Sequence, residues 1–149
     1  MGAEQVDQAA CVRGQWHAPV HVDSDHFDKD YQVMDLIGKG GFGEVCLALR
    51  VATGEEVAMK ILRTPPSLAT PGEKEEWSSR IRQEVETMAK CTSPYITQVI
   101  EAYDLSDRES RWCIALELCT GCNLSEILNQ IGVLDAISMR TISAQLASA

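Results

Sequence analysis

Apolar and polar residues alternate along three stretches in the first half of the chain and predict three β-strands. These stretches are residues 31–37, 45–50 and 57–61. Thr53 and Gly54 form a turn-favouring pair between the last two, so these two strands are expected to pair as a hairpin. In the third strand, Val57, Met59 and Ile61 fall on one face. Ala58 and Lys60 then share the opposite face.

A helix is predicted to begin after Thr70, because Thr70 and Glu73 form a capping-box pair and Pro71 occupies the first helical position. Its apolar residues form one stripe at helical spacing, namely Trp77, Ile81, Val85 and Met88. Glu84 falls inside this stripe, where a buried carboxylate needs a cationic partner. Lys60 is the natural candidate. The alternative is a glutamate at the rim of the stripe with its carboxylate in solvent.

Two further β-favouring stretches occur at residues 96–105 and 111–118. Two helices with apolar stripes follow, the first over 124–131 and ending at Gly132, the second opening at Asp135. The expected fold class is therefore α+β: a five-stranded antiparallel sheet with one helix, followed by two more helices.

A glycine-rich turn joins the first two predicted strands, with glycines at 38, 40 and 43 in a G-x-G-x-x-G pattern. Glycines let the backbone approach a ligand closely, and amide groups in such a loop suit phosphate oxygens. A dinucleotide-binding unit would require a helix directly after the glycines, and a hairpin is predicted instead. Lys60 is then expected beneath the loop as a phosphate contact. The alternative for Lys60 is an exposed lysine on an edge strand.

The glycine loop with the trailing Val45, followed by Val57-Ala58-Met59-Lys60, resembles the start of a eukaryotic protein kinase domain. The resemblance runs from about Tyr31 to the end of the chain. It implies that Glu84 is the glutamate of the regulatory helix that pairs with Lys60. It also implies that ATP binds here, with its phosphates against the loop formed by Gly38, Lys39, Gly40, Gly41, Phe42 and Gly43.

The resemblance also implies an adenine site at the connection between two lobes, at residues 116–121. Leu116 would be the gatekeeper, and the backbone C=O of Glu117 and the N–H of Cys119 would face the base. Asn123 would lie near the ribose. Three apolar side chains would contact the faces of the base: Ile37, Val45 and Ala58.

Phosphoryl transfer in this family requires a catalytic Asp, an Asn and the Asp of D-F-G for magnesium. No H-R-D-like or D-F-G sequence occurs in these 149 residues. We therefore expect the nucleotide-binding portion of a kinase, truncated before the catalytic loop, with no catalytic residue of its own and Mg²⁺ held only with the missing lobe. Serine/threonine specificity is favoured over tyrosine. The alternative is a stand-alone, non-catalytic kinase-like module that docks on or regulates a partner.

Composition limits the remaining function classes. The net charge of −9 argues against nucleic-acid binding, and no apolar run is long enough to span a membrane. The six scattered cysteines are typical of reduced thiols, so a cytoplasmic protein is expected. We expect residues 1–30 to be a flexible acidic extension, residues 31–122 to form the small lobe and hinge, and residues 123–149 to begin a helical large lobe.

Overall fold

The computed structural model describes residues 20–21, 24–41 and 43–149. Its strands are β1 (Val20–His21), β2 (Tyr31–Gly40), β3 (Gly43–Arg50), β4 (Glu55–Arg63), β5 (Val99–Leu105) and β6 (Arg111–Glu117). Its helices are α1 (Ser24–Asp30), α2 (Pro71–Ala89), α3 (Ser106–Glu109), α4 (Leu124–Ile131) and α5 (Ala136–Ala147). The predicted α+β class, with one long helix on the sheet and two helices after it, is confirmed.

The strands of the described residues form one sheet in the order β1-β5-β6-β4-β3-β2. The five strands from β2 to β6 pair antiparallel, as predicted. The short β1 adds a sixth strand, which runs parallel to β5. In this register Lys60 on β4 lies between Val45 on β3 and Ile114 on β6.

The sheet buries a hydrophobic cluster on each face. Val57, Met59 and Ile61 belong to the cluster that also contains Phe27 of α1. Leu62 belongs to the opposite cluster, with Ile81 and other residues of α2 and the sheet. Because Lys60 and Leu62 are two residues apart on β4, both point to the α2 side.

Residues 20–21 and 24–30 form secondary structure, which corrects the expectation of a flexible extension for these described residues. Val20 and His21 pair with Ala102 and Tyr103 at the edge of β5. Helix α1 follows, and its Phe27 is only 2% exposed. Elements of two and seven residues are too short for a hydrophobic period to reveal them. Residues 1–19 lie outside the described residues.

A polar network fastens this segment to the sheet around Glu101. The Glu101 carboxylate accepts hydrogen bonds from Arg50 at 2.9 Å and from the Tyr31 hydroxyl at 2.5 Å, and it contacts His21 Nε2 at 3.0 Å. Burial opposes ionisation of Glu101, but the bonds from Tyr31, Arg50 and His21 outweigh it and lower the pKa of this carboxyl. Burial, together with Glu101, raises the pKa of the Tyr31 hydroxyl well above its ordinary value. The network thus favours a charged Glu101 beside a neutral Tyr31.

Helices α4 and α5 lie on the surface. Both are fully described, and neither contains a buried residue. Their N-termini are capped by Asn123 and Asp135, whose side chains accept from backbone N–H groups three residues on. Several large apolar side chains in and around them are exposed: Leu124, Ile131, Val133, Ile137, Met139 and Leu146.

Replacing Phe27 tests whether α1 is part of the folded core. Phe27→Ala should lower the free energy of unfolding by about 3–5 kcal/mol, because it removes a buried aromatic ring. Lys29→Ala, on the exposed side of the same helix, should change it by less than about 0.5 kcal/mol. Urea denaturation followed by circular dichroism measures both. Equal, small effects would show that α1 does not contribute to the core.

Candidate functional site

The glycine-rich turn lies between the end of β2 at Gly40 and the start of β3 at Gly43. Gly43 has a φ of +134°, and a Cβ built there would lie 2.3 Å from the carbonyl oxygen of Ile61. This position therefore requires glycine for both dihedral and steric reasons. A Cβ on Gly40 or Gly41 would meet no atom within 4 Å, so open space adjoins the loop. Phe42 lies outside the described residues.

Lys60 occupies the α2 side of the sheet beside this turn. Its cross-strand neighbours are Val45 and Ile114, and a quarter of its side-chain surface, 25%, is exposed. Its neighbours on β4, Met59 and Ile61, are buried on the opposite face. The predicted separation of Lys60 from Val57, Met59 and Ile61 is therefore confirmed.

The predicted approach of Lys60 to Glu84 is confirmed, but the predicted burial of Glu84 is wrong. Lys60 Nζ lies 3.8 Å from Glu84 Oε1, while 59% of the Glu84 side chain is exposed. The buried residues of α2 are Ser78, Ile81, Val85 and Ala89. At 3.6 residues per turn, Glu84 lies roughly 100° around the helix from their mean direction. It sits at the rim of the buried stripe, and the ion pair is made at the edge of the cleft.

The glycine turn, β4 and α2 enclose a cleft of about 730 Å³. Its charged lining residues are Lys39, Glu44, Lys60, Arg63, Arg80 and Glu84. All four cations have anionic partners: besides Lys60 with Glu84, Glu44 pairs with Lys39 at 3.0 Å and with Arg63 at 3.8 Å, and Arg80 pairs with Glu76 at 2.6 Å. The hydrogen bond and charge of Lys39 lower the pKa of Glu44. The two longest ion pairs are Lys60 with Glu84 and Arg63 with Glu44, each at 3.8 Å.

Three of the residues expected around adenine, Val45, Ala58 and Leu116, lie on the same face of the sheet as Lys60. Ala58 is buried and pairs with Leu116 on β6. This pair lies two residues along the strands from the pair of Lys60 and Ile114. Val45 pairs with both Gly38 and Lys60. Ile37, on the outer strand, is 51% exposed. The structure thus brings Val45, Ala58 and Leu116 together, and nucleotide contact by these residues stays a prediction.

The expected hinge follows β6, which ends at Glu117. Glu117 and Cys119 are exposed, and the Cys119 thiol lies 3.6 Å from the Thr97 hydroxyl. Asn123 has a role that the sequence reasoning missed, because its Oδ1 accepts from the backbone N–H of Glu126 at 2.9 Å. The Glu126 carboxylate accepts in return from the Asn123 backbone N–H at 3.0 Å. The signal was available as an Asn three residues before a Glu, which is typical of a helix start.

A buried polar cluster between α2 and the sheet was also missed. It centres on Asp104 of β5, which is 9% exposed and accepts from Ser78 at 3.1 Å and from Arg82 at 2.9 Å. The indole N–H of Trp112 donates to the Ser78 hydroxyl at 2.9 Å. The signal in the sequence was an acid within the apolar stretch 99–105, at a position that alternates with Tyr103 and Leu105.

Two other site types find no support among the described residues. No group of three His, Cys, Asp or Glu side chains there is arranged to hold a metal ion. No helix in the same part of the chain is long and apolar enough to cross a membrane.

Comparison with known proteins identifies the family. A family model for the protein kinase domain matches residues 31–149. The serine/threonine-protein kinase dst1 of Dictyostelium discoideum is 31% identical over 108 residues, covering 72% of this chain and 13% of that protein. The serine/threonine-protein kinase TIO of Arabidopsis thaliana is 31% identical over 121 residues, covering 81% of this chain and 8% of that protein. The chain belongs to the protein kinase domain family.

Similarity extends to a bacterial protein. The serine/threonine-protein kinase PrkC of Bacillus subtilis (strain 168) is 30% identical over 119 residues, covering 80% of this chain and 17% of that protein. The chain therefore spans less than a fifth of the length of each of these three relatives.

Substitution at Gly43 tests the geometry of the turn. Gly43→Ala should lower the free energy of unfolding by about 1–3 kcal/mol, because it combines a disfavoured φ with a clash against Ile61. Gly41→Ala should be close to neutral, since its Cβ would enter open space. Thermal and urea unfolding of the two variants gives the comparison. Similar losses in both would mean that the turn is not constrained at Gly43.

The exposure of Glu84 sets the expected strength of its ion pair. Glu84→Gln should lower the free energy of unfolding by less than about 1 kcal/mol, because solvent screens half-exposed pairs. A double-mutant cycle with Lys60→Met isolates the interaction between the two side chains. A coupling free energy near 3 kcal/mol would indicate a buried pair and contradict this geometry.

Proposed function

We propose that this chain is the ATP-binding small-lobe portion of a serine/threonine protein kinase. The observation that carries the proposal is the convergence of the glycine turn, Lys60 and Glu84 on one cleft. Membership of the protein kinase domain family and the serine/threonine kinase relatives support the same function. The five cysteines of the described residues are free thiols, which fits the cytoplasmic location that we propose.

The nucleotide would be held by contacts of different kinds along the same face of the sheet. The backbone of the turn at residues 38–43 would surround the phosphates, with room beneath Gly40 and Gly41. Lys60 would donate to a phosphate oxygen in a charge-assisted hydrogen bond. Val45, Ala58 and Ile37 would contact the adenine, whose edge would bond to the backbone at Glu117 and Cys119.

Magnesium has no candidate ligand set among the described residues, because no group of acidic side chains there is arranged to hold a metal. The sequence also lacks H-R-D-like and D-F-G motifs, which supply the catalytic Asp and a magnesium ligand in this family. Phosphoryl transfer depends on positioning and on electrostatic stabilisation of the transferring group. We therefore infer that the 149-residue chain by itself transfers no phosphate.

A second candidate is a non-catalytic kinase-like module that docks on or regulates a protein partner. The apolar surface of α4 and α5 favours it. Side chains such as Leu124, Ile137 and Met139 are exposed, and neither helix contains a buried residue. In this case the same helices would contact the partner.

Nucleotide binding by the purified 149-residue chain tests the proposal. We expect weak binding of ATP, measured by calorimetry, with an affinity lowered about tenfold in Lys60→Met through loss of one charge-assisted hydrogen bond. Lys74→Met, which removes an exposed lysine of α2 that does not line the cleft, is the matched control and should leave the affinity unchanged. No detectable binding in the wild-type chain would favour the non-catalytic module.

Phosphate transfer is assayed with magnesium, labelled ATP and generic protein substrates. We expect no incorporation above background, because the catalytic Asp and the metal ligands are absent from these residues. Incorporation that disappears in Lys60→Met would place the chemistry in this chain and contradict the proposed lack of transfer.

A further inference from the structure

The contact between Lys60 and Glu84 is too loose to determine where α2 lies on the sheet. The two charged atoms are 3.8 Å apart, and more than half of the Glu84 side chain is exposed. Exposed ion pairs contribute little because water competes for both charges and both side chains lose freedom. Something else must hold the helix at the height and rotation that bring Glu84 to Lys60.

Asp104 provides an attachment of a different kind. Its carboxylate is almost entirely enclosed, and both of its oxygens are used. Oδ2 accepts from Ser78 and Arg82, which lie one turn apart on α2. Oδ1 accepts from the backbone N–H of Ser106 at 3.2 Å and from the Ser106 hydroxyl at 2.5 Å. An enclosed charge satisfied in this way fixes its partners strongly, because any displacement of the helix leaves Oδ2 without its two donors, Ser78 and Arg82.

Trp112 extends the attachment to the neighbouring strand. Its indole N–H donates to the Ser78 hydroxyl, and the Arg82 guanidinium lies 5.5 Å from the centre of its ring. Ser78 therefore accepts from β6 and donates to β5 at the same time. Two strands thus position a single helical turn, which determines both the translation and the rotation of α2.

The register of the sheet connects this cluster to Lys60. Asp104, Trp112 and Leu62 form one row across β5, β6 and β4. Ala102, Ile114 and Lys60 form the next row on the same face, about 7 Å along the strands. On α2, Glu84 lies six residues beyond Ser78, about 9 Å along the helix axis. Fixing Ser78 to the first row therefore brings Glu84 to the second.

We infer that Asp104, acting through Ser78 and Arg82, is a positioning residue that holds α2 so that Glu84 faces Lys60. Asp104 touches neither Lys60 nor the cleft, and it acts only through the placement of the helix. The inference concerns the geometry of the free protein. Only its consequence for ATP affinity rests on the proposed function.

The first measurement uses the 149-residue chain without nucleotide. The Cε–Hε resonance of Lys60 in NMR spectra should shift on Glu84→Gln, because the neighbouring charge is lost. In an Asp104→Asn background, the same Glu84→Gln change should move that resonance by less than half as much. Asp107→Asn, an exposed acid three residues further on, is the matched control and should leave the response at full size. A full-size response in folded Asp104→Asn would overturn the inference.

Milder variants keep the test decisive if Asp104→Asn does not fold. Arg82→Met keeps an unbranched side chain but removes one of the two donors that α2 gives to Asp104, and Ser78→Ala removes the second. Each should reduce the Lys60 response to Glu84→Gln. Retention of the full response in both variants would overturn the inference.

The second measurement is ATP affinity by calorimetry. Asp104→Asn and Glu84→Gln should weaken binding by similar factors, and the double variant should bind no more weakly than either, because both remove the same contact. If Asp104 only stabilised the fold, the losses of affinity in the two single variants would multiply in the double variant, and that result would overturn the inference. If the wild-type chain binds no ATP, the proposed function fails, whereas the NMR comparison still decides the role of Asp104.

Discussion

The burial of β4 on both faces is the constraint on which the rest of this structure depends. Val57, Met59 and Ile61 are enclosed on the α1 side, and Ala58 and Leu62 on the α2 side. Such a strand cannot slip by one residue, because every side chain would change face. Lys60, the polar residue in this apolar run, is therefore fixed on the α2 side, opposite Val45. The position of the candidate site follows from core packing.

The charged contacts that anchor the secondary-structure elements differ in burial from those around the cleft. The anchoring contacts are enclosed and fully bonded: Asp104 holds α2, and Glu101 holds the segment that contains β1 and α1. The ion pairs around the cleft are more exposed, and two of them, Lys60–Glu84 and Arg63–Glu44, are longer at 3.8 Å. Removing one partner from an enclosed pair leaves an unpaired charge, which costs several kcal/mol, while an exposed pair contributes about 1 kcal/mol or less. The contacts that attach the helix are therefore more costly to break than the ion pairs around the cleft.

Sequence reasoning succeeded where a short-range pattern carried the information. Alternation located the strands, and the Thr70-Glu73 capping box located the start of α2. Reasoning from the sequence failed where packing between distant segments determines which residues are buried. The predicted apolar stripe of α2 included Trp77 and Met88 with Ile81 and Val85, whereas the sheet buries Ser78 and Ala89 with Ile81 and Val85, and this rotation moves Glu84 to the rim. Neither Phe27 nor Asp104 could be assigned a partner, because their contacts join segments far apart in the chain.

Under the proposed function, the charge balance of the cleft would favour Lys60 as the residue that contacts phosphate. Lys39 and Arg63 share Glu44, and Arg80 has Glu76 on its own helix. A phosphate that binds any of these three cations would compete with the carboxylate that already pairs with that cation. All three cationic side chains are more than half exposed. Lys60 differs from Arg63 on the same strand because 25% of its side chain is exposed, against 67% for Arg63, and because its anionic partner lies on a helix that is anchored elsewhere. Since Glu84 does not fully engage the ammonium, Lys60 can keep this contact and still donate to a phosphate oxygen. The same separation that makes the ion pair weak for stability therefore leaves the lysine available for binding.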